Sequence, residues 1–162
     1  MQLRESLEHQ TVAADALRVI SRSNFDLQTV LDSLVESATR LCEADHSWLF
    51  QREGDHFCWS AGFGNATDVH ERIRDFFKDR MVFADRGSAT GRAALEGKVA
   101  HIADVLQDTE YTYGEAQKIG GYRAVLGVPL LRRGDVIGVI FVAKIVPQPF
   151  SEKTDRAGDY IR

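Results

Sequence analysis

Among the side chains able to hold a metal or act as nucleophiles are five histidines and two cysteines. His9, His46, His56, His70 and His101 show none of the paired spacings that zinc sites use. His70-Glu71 opens like a zinc-protease helix, but the second His would have to stand at Arg74. It also opens like a phosphoacceptor histidine, and Arg72-Ile73-Arg74-Asp75 breaks that match, so His70 reads as a surface helix residue. His46 and His56 flank an expected hairpin, near enough to meet across it, and cross-strand packing is the reading taken. Cys42 falls on the apolar stripe of a helix and Cys58 in a strand, where thiols without a basic neighbour are inert. No P-loop, Gly-x-Ser-x-Gly or Asp-Gly-rich metal loop occurs. The expectation is a non-catalytic chain without a metal.

Binding chemistry is better represented. Trp48, Phe50, Phe57, Trp59, Phe63, Phe83, Tyr111, Tyr113 and Tyr122 are expected on one side of the molecule. Aromatic walls with a few polar ends are what small-ligand pockets use. Ser88 opens a short helix whose free N–H groups and dipole suit an anion, with Arg86 and Arg92 near and Arg123 entering the strand beside it. Asp104 begins the loop expected to close the pocket. His101 starts a strand read as facing it, where a neutral imidazole suits haem ligation or a ligand hydrogen bond. The plainer roles are a core for half of these aromatics, a simple cap for Ser88, and a bond from His101 to a loop carbonyl or Asp104.

These residues need elements to hold them. Residues 3–22 carry a thin apolar stripe, which suits packing against a partner helix. Ser23-Asn24-Phe25-Asp26 is expected to interrupt it and start a second helix over about 26–43, with Leu27, Val30, Leu31, Leu34, Val35, Ala38, Leu41 and Cys42 as a broad stripe. The period then falls to two, giving a hairpin of 46–51 and 55–61 around Arg52-Glu53-Gly54. A polar helix follows over 67–80, then a short one from Ser88 to Leu95 that Gly97 stops. Residues 99–102 read as a strand and 104–121 as a long connection with one helical turn near 115–118. The strands 124–131 and 136–145 flank a turn at 132–135 and are apolar on both faces, so the sheet must be covered on both sides. Pro147 and Pro149 end it, and Ser151-Glu152-Lys153 starts a last helix. The fold expected is α+β, a three-layer α/β/α-like arrangement.

Composition sets bounds on this reading. The 162 residues suit one core, and 44% apolar with 27% charged residues is ordinary for a globular domain. Lys and Arg (20) and Asp and Glu (24) are interspersed, which argues against a nucleic-acid surface. No apolar run reaches the ~18–20 residues of a membrane span. Two cysteines make no disulfide framework, so the expected compartment is the cytoplasm.

The element order resembles the GAF domain, and several stretches are similar to the GAF sensory modules of bacterial multi-sensor histidine kinases. They include 17–23, 40–44, Gly87-Ser88-Ala89-Thr90-Gly91-Arg92-Ala93, His101-Ile102-Ala103-Asp104-Val105, Asp108-Thr109-Glu110-Tyr111-Thr112, Leu126-Gly127-Val128-Pro129-Leu130-Leu131, and Arg133-Gly134-Asp135-Val136-Ile137-Gly138-Val139-Ile140 with Pro149-Phe150-Ser151 beyond. The resemblance spans about 17–155. It implies a central antiparallel sheet of five or six strands, helices used for dimerisation on one face, and pocket-closing loops and short helices on the other. It further implies a signalling and dimerisation helix over 1–22, a sensory domain over 23–155, and at 156–162 the start of a C-terminal helix cut short. Either the chain is then a piece of a longer one or it lacks its own output. A homodimer, a small-molecule ligand and a kinase or transmitter output domain are the implied partners, with neither nucleic acid nor membrane insertion. The ligand-binding positions expected from the aromatic wall and its polar ends are Trp48, Phe50, Trp59, Phe83, Ser88, His101, Asp104, Tyr111, Tyr113, Tyr122 and Arg123. Rival readings are a ligand-free dimerisation scaffold and an enzyme of the methionine-sulfoxide-reductase type, which needs cysteines on the pocket loops. The 104–121 loop has none, which also speaks against a bilin thioether there.

Overall fold

The computed structural model describes residues 13–147 and Phe150, with side chains from Asp26 onward. Helix α1 (Ala13–Leu41) leads into the hairpin β1 (His46–Glu53) and β2 (His56–Gly64), then α2 (Thr67–Phe77), β3 (Val82–Phe83) and α3 (Ala89–Glu96). Strand β4 (Ala100–Ile102), a single 3-10 turn (Val105–Gln107), α4 (Gly114–Gly120), β5 (Ala124–Arg132) and β6 (Asp135–Lys144) complete the order. The six strands form one sheet in the order β3-β2-β1-β6-β5-β4, every pairing antiparallel.

The doubly apolar strands explain the layers. Leu126, Val128, Ile140 and Val142 point to one face, where Leu31, Val35 and Ala38 of α1, with Cys42 just beyond its end, cover them. Their neighbours Val125, Val139, Phe141 and Ala143 point to the other face, under Ile73 and Phe77 of α2, Ala89 and Ala93 of α3, and Ala116 of α4. This is the period-two alternation of strands buried on both sides. Gly127 lets α3 come close, because a Cβ there would stand 2.6 Å from the Ala89 carbonyl oxygen. The turns follow the residues: Gly54 (φ 68°), and Arg133 with Gly134 (φ 53° and 88°), close the two hairpins in the left-handed region.

Three expectations change. The break at Ser23–Asp26 does not occur, since α1 runs through it. Ser, Asn and Asp each cost a helix interior only a few tenths of a kcal/mol, and no Gly or Pro stands there to stop it. The pair Val82–Phe83 forms a short edge strand against β2 that its two residues could not announce. His46 and His56 also stay apart, because His46 pairs with Gly64 and His56 with Glu53, at opposite ends of the hairpin. The expected helix after Ser151 and the 156–162 segment lie outside the described residues, as do residues 3–12 of the first helix. Among the described residues no helix is long and apolar enough to cross a membrane.

Candidate functional site

On the face away from α1, a cavity sits between the sheet and the short helices. Trp48 and Phe50 of β1 and Phe141 of β6 form its floor, with Phe77, Val82, Ser88, Thr90, Tyr111, Tyr113 and Tyr122 around them. Its volume is about 10 Å³, room for about one water molecule. The aromatics occupy most of the space. Trp48 stacks on Phe141 with ring centres 4.4 Å apart and meets Tyr122 edge-on at 5.7 Å, and Phe77 and Trp59 stack at 6.0 Å.

Polar groups meet this apolar floor from above. Ser88 caps α3, its Oγ accepting from the Gly91 N–H at 2.9 Å. Tyr111 and Tyr122 share a hydrogen bond between their hydroxyls. Burial is the main cause that pushes both phenols well above their ordinary pKa, so they stay protonated. Trp48 keeps a buried Nε1–H with no hydrogen-bond partner among the described residues.

The segment carrying Tyr111 and Tyr113 forms a lid tied down by ion pairs. Arg92, buried in α3, donates two hydrogen bonds to Asp108 at 3.0 and 2.7 Å and a third to the Arg86 carbonyl. The guanidinium beside Asp108 holds its carboxyl below the usual range. Arg86 pairs with Glu110 and Glu96, and Thr112 N–H donates to the Gly87 carbonyl at 2.8 Å. At the lid's far end Arg123 donates to both Asp104 oxygens, at 2.8 and 2.6 Å, and these hydrogen bonds keep that carboxyl low as well.

Six of the eleven expected site residues therefore line the cavity: Trp48, Phe50, Ser88, Tyr111, Tyr113 and Tyr122. Trp59 stands behind them, packed on the same core. Phe83 does not join, being 43% exposed beside the His56 ring at the sheet edge. His101 faces the other layer, where Phe150 meets its ring edge-on and donates its N–H to Nε2. Asp104 and Arg123 pair with each other outside the cavity. At the start of α3, where an anion was expected, Arg86 and Arg92 are engaged by the chain's own carboxylates and Ser88 by its own helix. Phe63 packs under α1 instead. His70 is not a plain surface residue: its ring lies 6.1 Å from Trp59, burial and then Arg74 lower its pKa, and its buried Nδ1 has no partner among the described residues.

Four lining residues, Phe77, Val82, Thr90 and Phe141, were not among those expected. Phe141 was legible from strand alternation, since it shares a face with Val139 and Ala143. The others depend on how α2, β3 and α3 dock, which no local pattern states.

The chain matches the family model described as GAF domain over residues 26–157. Solved structures agree on the fold. It is similar to the GAF domain/HD domain protein from Geobacter sulfurreducens (17% identity, 84% of this chain and 86% of that one, TM-score 0.69). It is similar to the GAF domain of a phosphoenolpyruvate-protein phosphotransferase from Coxiella burnetii (15% identity, 93% and 92%, TM-score 0.66). A third is the type II free methionine-R-sulfoxide reductase from Thermoplasma acidophilum (14% identity, 83% and 86%, TM-score 0.64).

Proposed function

The chain belongs to the GAF domain family, and from that premise we propose that it is a non-catalytic sensory module of a cytoplasmic, bacterial signal-transduction protein of histidine-kinase type. Its small ligand enters when the tyrosine lid lifts. The observation that carries this reading is Trp48, a cavity-lining residue whose buried N–H has no partner among the described residues. Such a group costs about 1–3 kcal/mol while unmet, and a polar ligand atom would satisfy it.

The lid supplies the mechanism. Its inner side offers Tyr111 and Tyr113 to the aromatic floor, while its outer side is held by the Arg92–Asp108 and Arg86–Glu110 ion pairs. A ligand larger than one water displaces Tyr111, breaks the Tyr111–Tyr122 bond and pulls on Arg92–Asp108. The shift passes through α3 and the sheet to α1, whose packing in a homodimer biases an output domain. Catalysis by a thiol would need a cysteine at the cavity, and neither Cys42 nor Cys58 lines it. The cavity's small volume favours a second reading, a dimerisation scaffold whose own rings fill the site permanently.

A thermal-shift screen of nucleotides, haem and small carboxylates tests the choice. A binder should stabilise the domain by about 2.7 kcal/mol at a hundredfold excess over Kd, and Ser88→Tyr, which fills the cavity, should abolish the effect. A panel that gives no shift in the wild type or in Tyr111→Ala, where the lid's plug is gone, establishes the scaffold instead.

A further inference from the structure

The β1–β2 hairpin carries three metal-ligating side chains on one side of its ladder. Glu53 pairs directly with His56 across the turn, and Cys58 lies two residues further along β2. In a strand, residues two apart share a face. A carboxylate oxygen of Glu53, a ring nitrogen of His56 and Cys58 Sγ all lie within 4.8 Å of one another. Next to them, the Asp55 carboxylate lies 3.0 Å from His56 Nδ1. A proton on Nδ1 would be donated to that carboxylate and leave Nε2 to a cation, the arrangement that second-shell carboxylates give metal-bound histidines.

We propose that Glu53, His56 and Cys58 form a surface site for a zinc-type divalent cation, with Asp55 as the residue that positions His56. Thiolate, imidazole and carboxylate together are a borderline donor set, suited to Zn²⁺ and unsuited to Ca²⁺ or Mg²⁺. Tetrahedral zinc bonds of about 2.0–2.3 Å would draw these three side chains together at the turn end of the hairpin, with water in the fourth position. Binding replaces the Cys58 S–H with a metal–sulfur bond and releases that proton to solvent. Cys42, buried under α1, takes no part.

The test is titration of the metal-stripped chain with Zn²⁺ against a chromophoric chelator, and with Co²⁺ as a spectroscopic probe. One ion should bind per chain with about one proton released, and Co²⁺ should give a sulfur-to-cobalt charge-transfer band in the near ultraviolet. Cys58→Ser should remove the band, His56→Gln and Glu53→Gln should each weaken binding at least tenfold, and Asp55→Asn about tenfold or more. Cys42→Ser should keep the band. These positions are near the surface, so circular dichroism of each variant should match the parent. Absence of stoichiometric Zn²⁺ binding at micromolar concentration overturns the proposal, and so does a band that survives Cys58→Ser.

Discussion

Trp48 is one residue on which the second core layer turns. It touches Phe141, Phe77, Trp59 and Tyr122 by ring contact, so the cavity floor has the shape of its indole. Opposite it, Gly127 sets how near α3 can come. We predict that Gly127→Ala destabilises the domain by about 1–3 kcal/mol, the usual range for overpacking, because the obstructing atoms are backbone and cannot rotate away. Denaturant titration checks it, and an unchanged midpoint would show that α3 has slack. Residue types announced the aromatic floor but not which face each side chain takes. His101 shows why. The strand that carries it has three residues, and Ala100 and Ile102 turn to the cavity layer while His101, opposite Leu126, turns to α1. A one-residue change of register exchanges the two faces, and so short a run contains nothing that fixes its register.

At the level of elements, the lid is legible as a segment but not in its contacts. The 104–121 segment was visible as a long polar connection, and its helical turn forms at Gly114–Gly120. What its charges do was not visible, because Arg92 meets Asp108 and Arg86 meets Glu110 only after α3 and the lid have docked. That docking makes the lid sensitive to pH from both sides. Asp108 has a lowered carboxyl in the fold, so its contribution is present above the ordinary carboxylate pKa of about 3.9 and is lost as pH falls through the lower folded value. The tyrosines are raised, so their contribution holds below about pH 10 and fades as pH climbs toward their folded values. Amide exchange over 105–113 should therefore be slow between about pH 4 and pH 10, after correction for the intrinsic rate, and speed up beyond either limit. Asp108→Asn leaves Arg92 buried without its counter-charge, a loss of about 2–4 kcal/mol. It should raise lid exchange even at neutral pH. Exchange that is flat in pH and unmoved by Asp108→Asn would mean that the ion pairs do not hold the lid.

For the whole molecule, the informative surface is the outer side of α1. Its broad apolar stripe divides in two. Leu31, Val35 and Ala38 meet the sheet, whereas Leu27, Val30 and Leu41 are each about half exposed. Val30 and Leu34, with Thr29, Ser33 and Ser37, line a groove of about 240 Å³ on that outer side. A single sheet face can bury only one line of a helix, so a stripe wider than the sheet requires leaves its remainder to water or to a partner. The spacing 27, 30, 34, 37, 41 is the three-four alternation by which two helices interlock, with serines at 33 and 37 small enough for close approach. This fits the proposed homodimer, in which α1 is both the cover of the sheet and the contact that transmits the signal. Val30→Glu places a charge in the middle of that line without touching the domain's own core. The variant should keep its circular dichroism and melting temperature within a few degrees while its dimer dissociation constant rises tenfold or more, equivalent to about 1.4 kcal/mol. Removal of residues 1–22 should likewise lower the association state and leave a folded domain. Analytical ultracentrifugation of the intact chain and both variants decides the matter. An intact chain that sediments as a monomer, or a Val30→Glu dimer as tight as the parent, would remove α1 from the interface and leave the signal without this route.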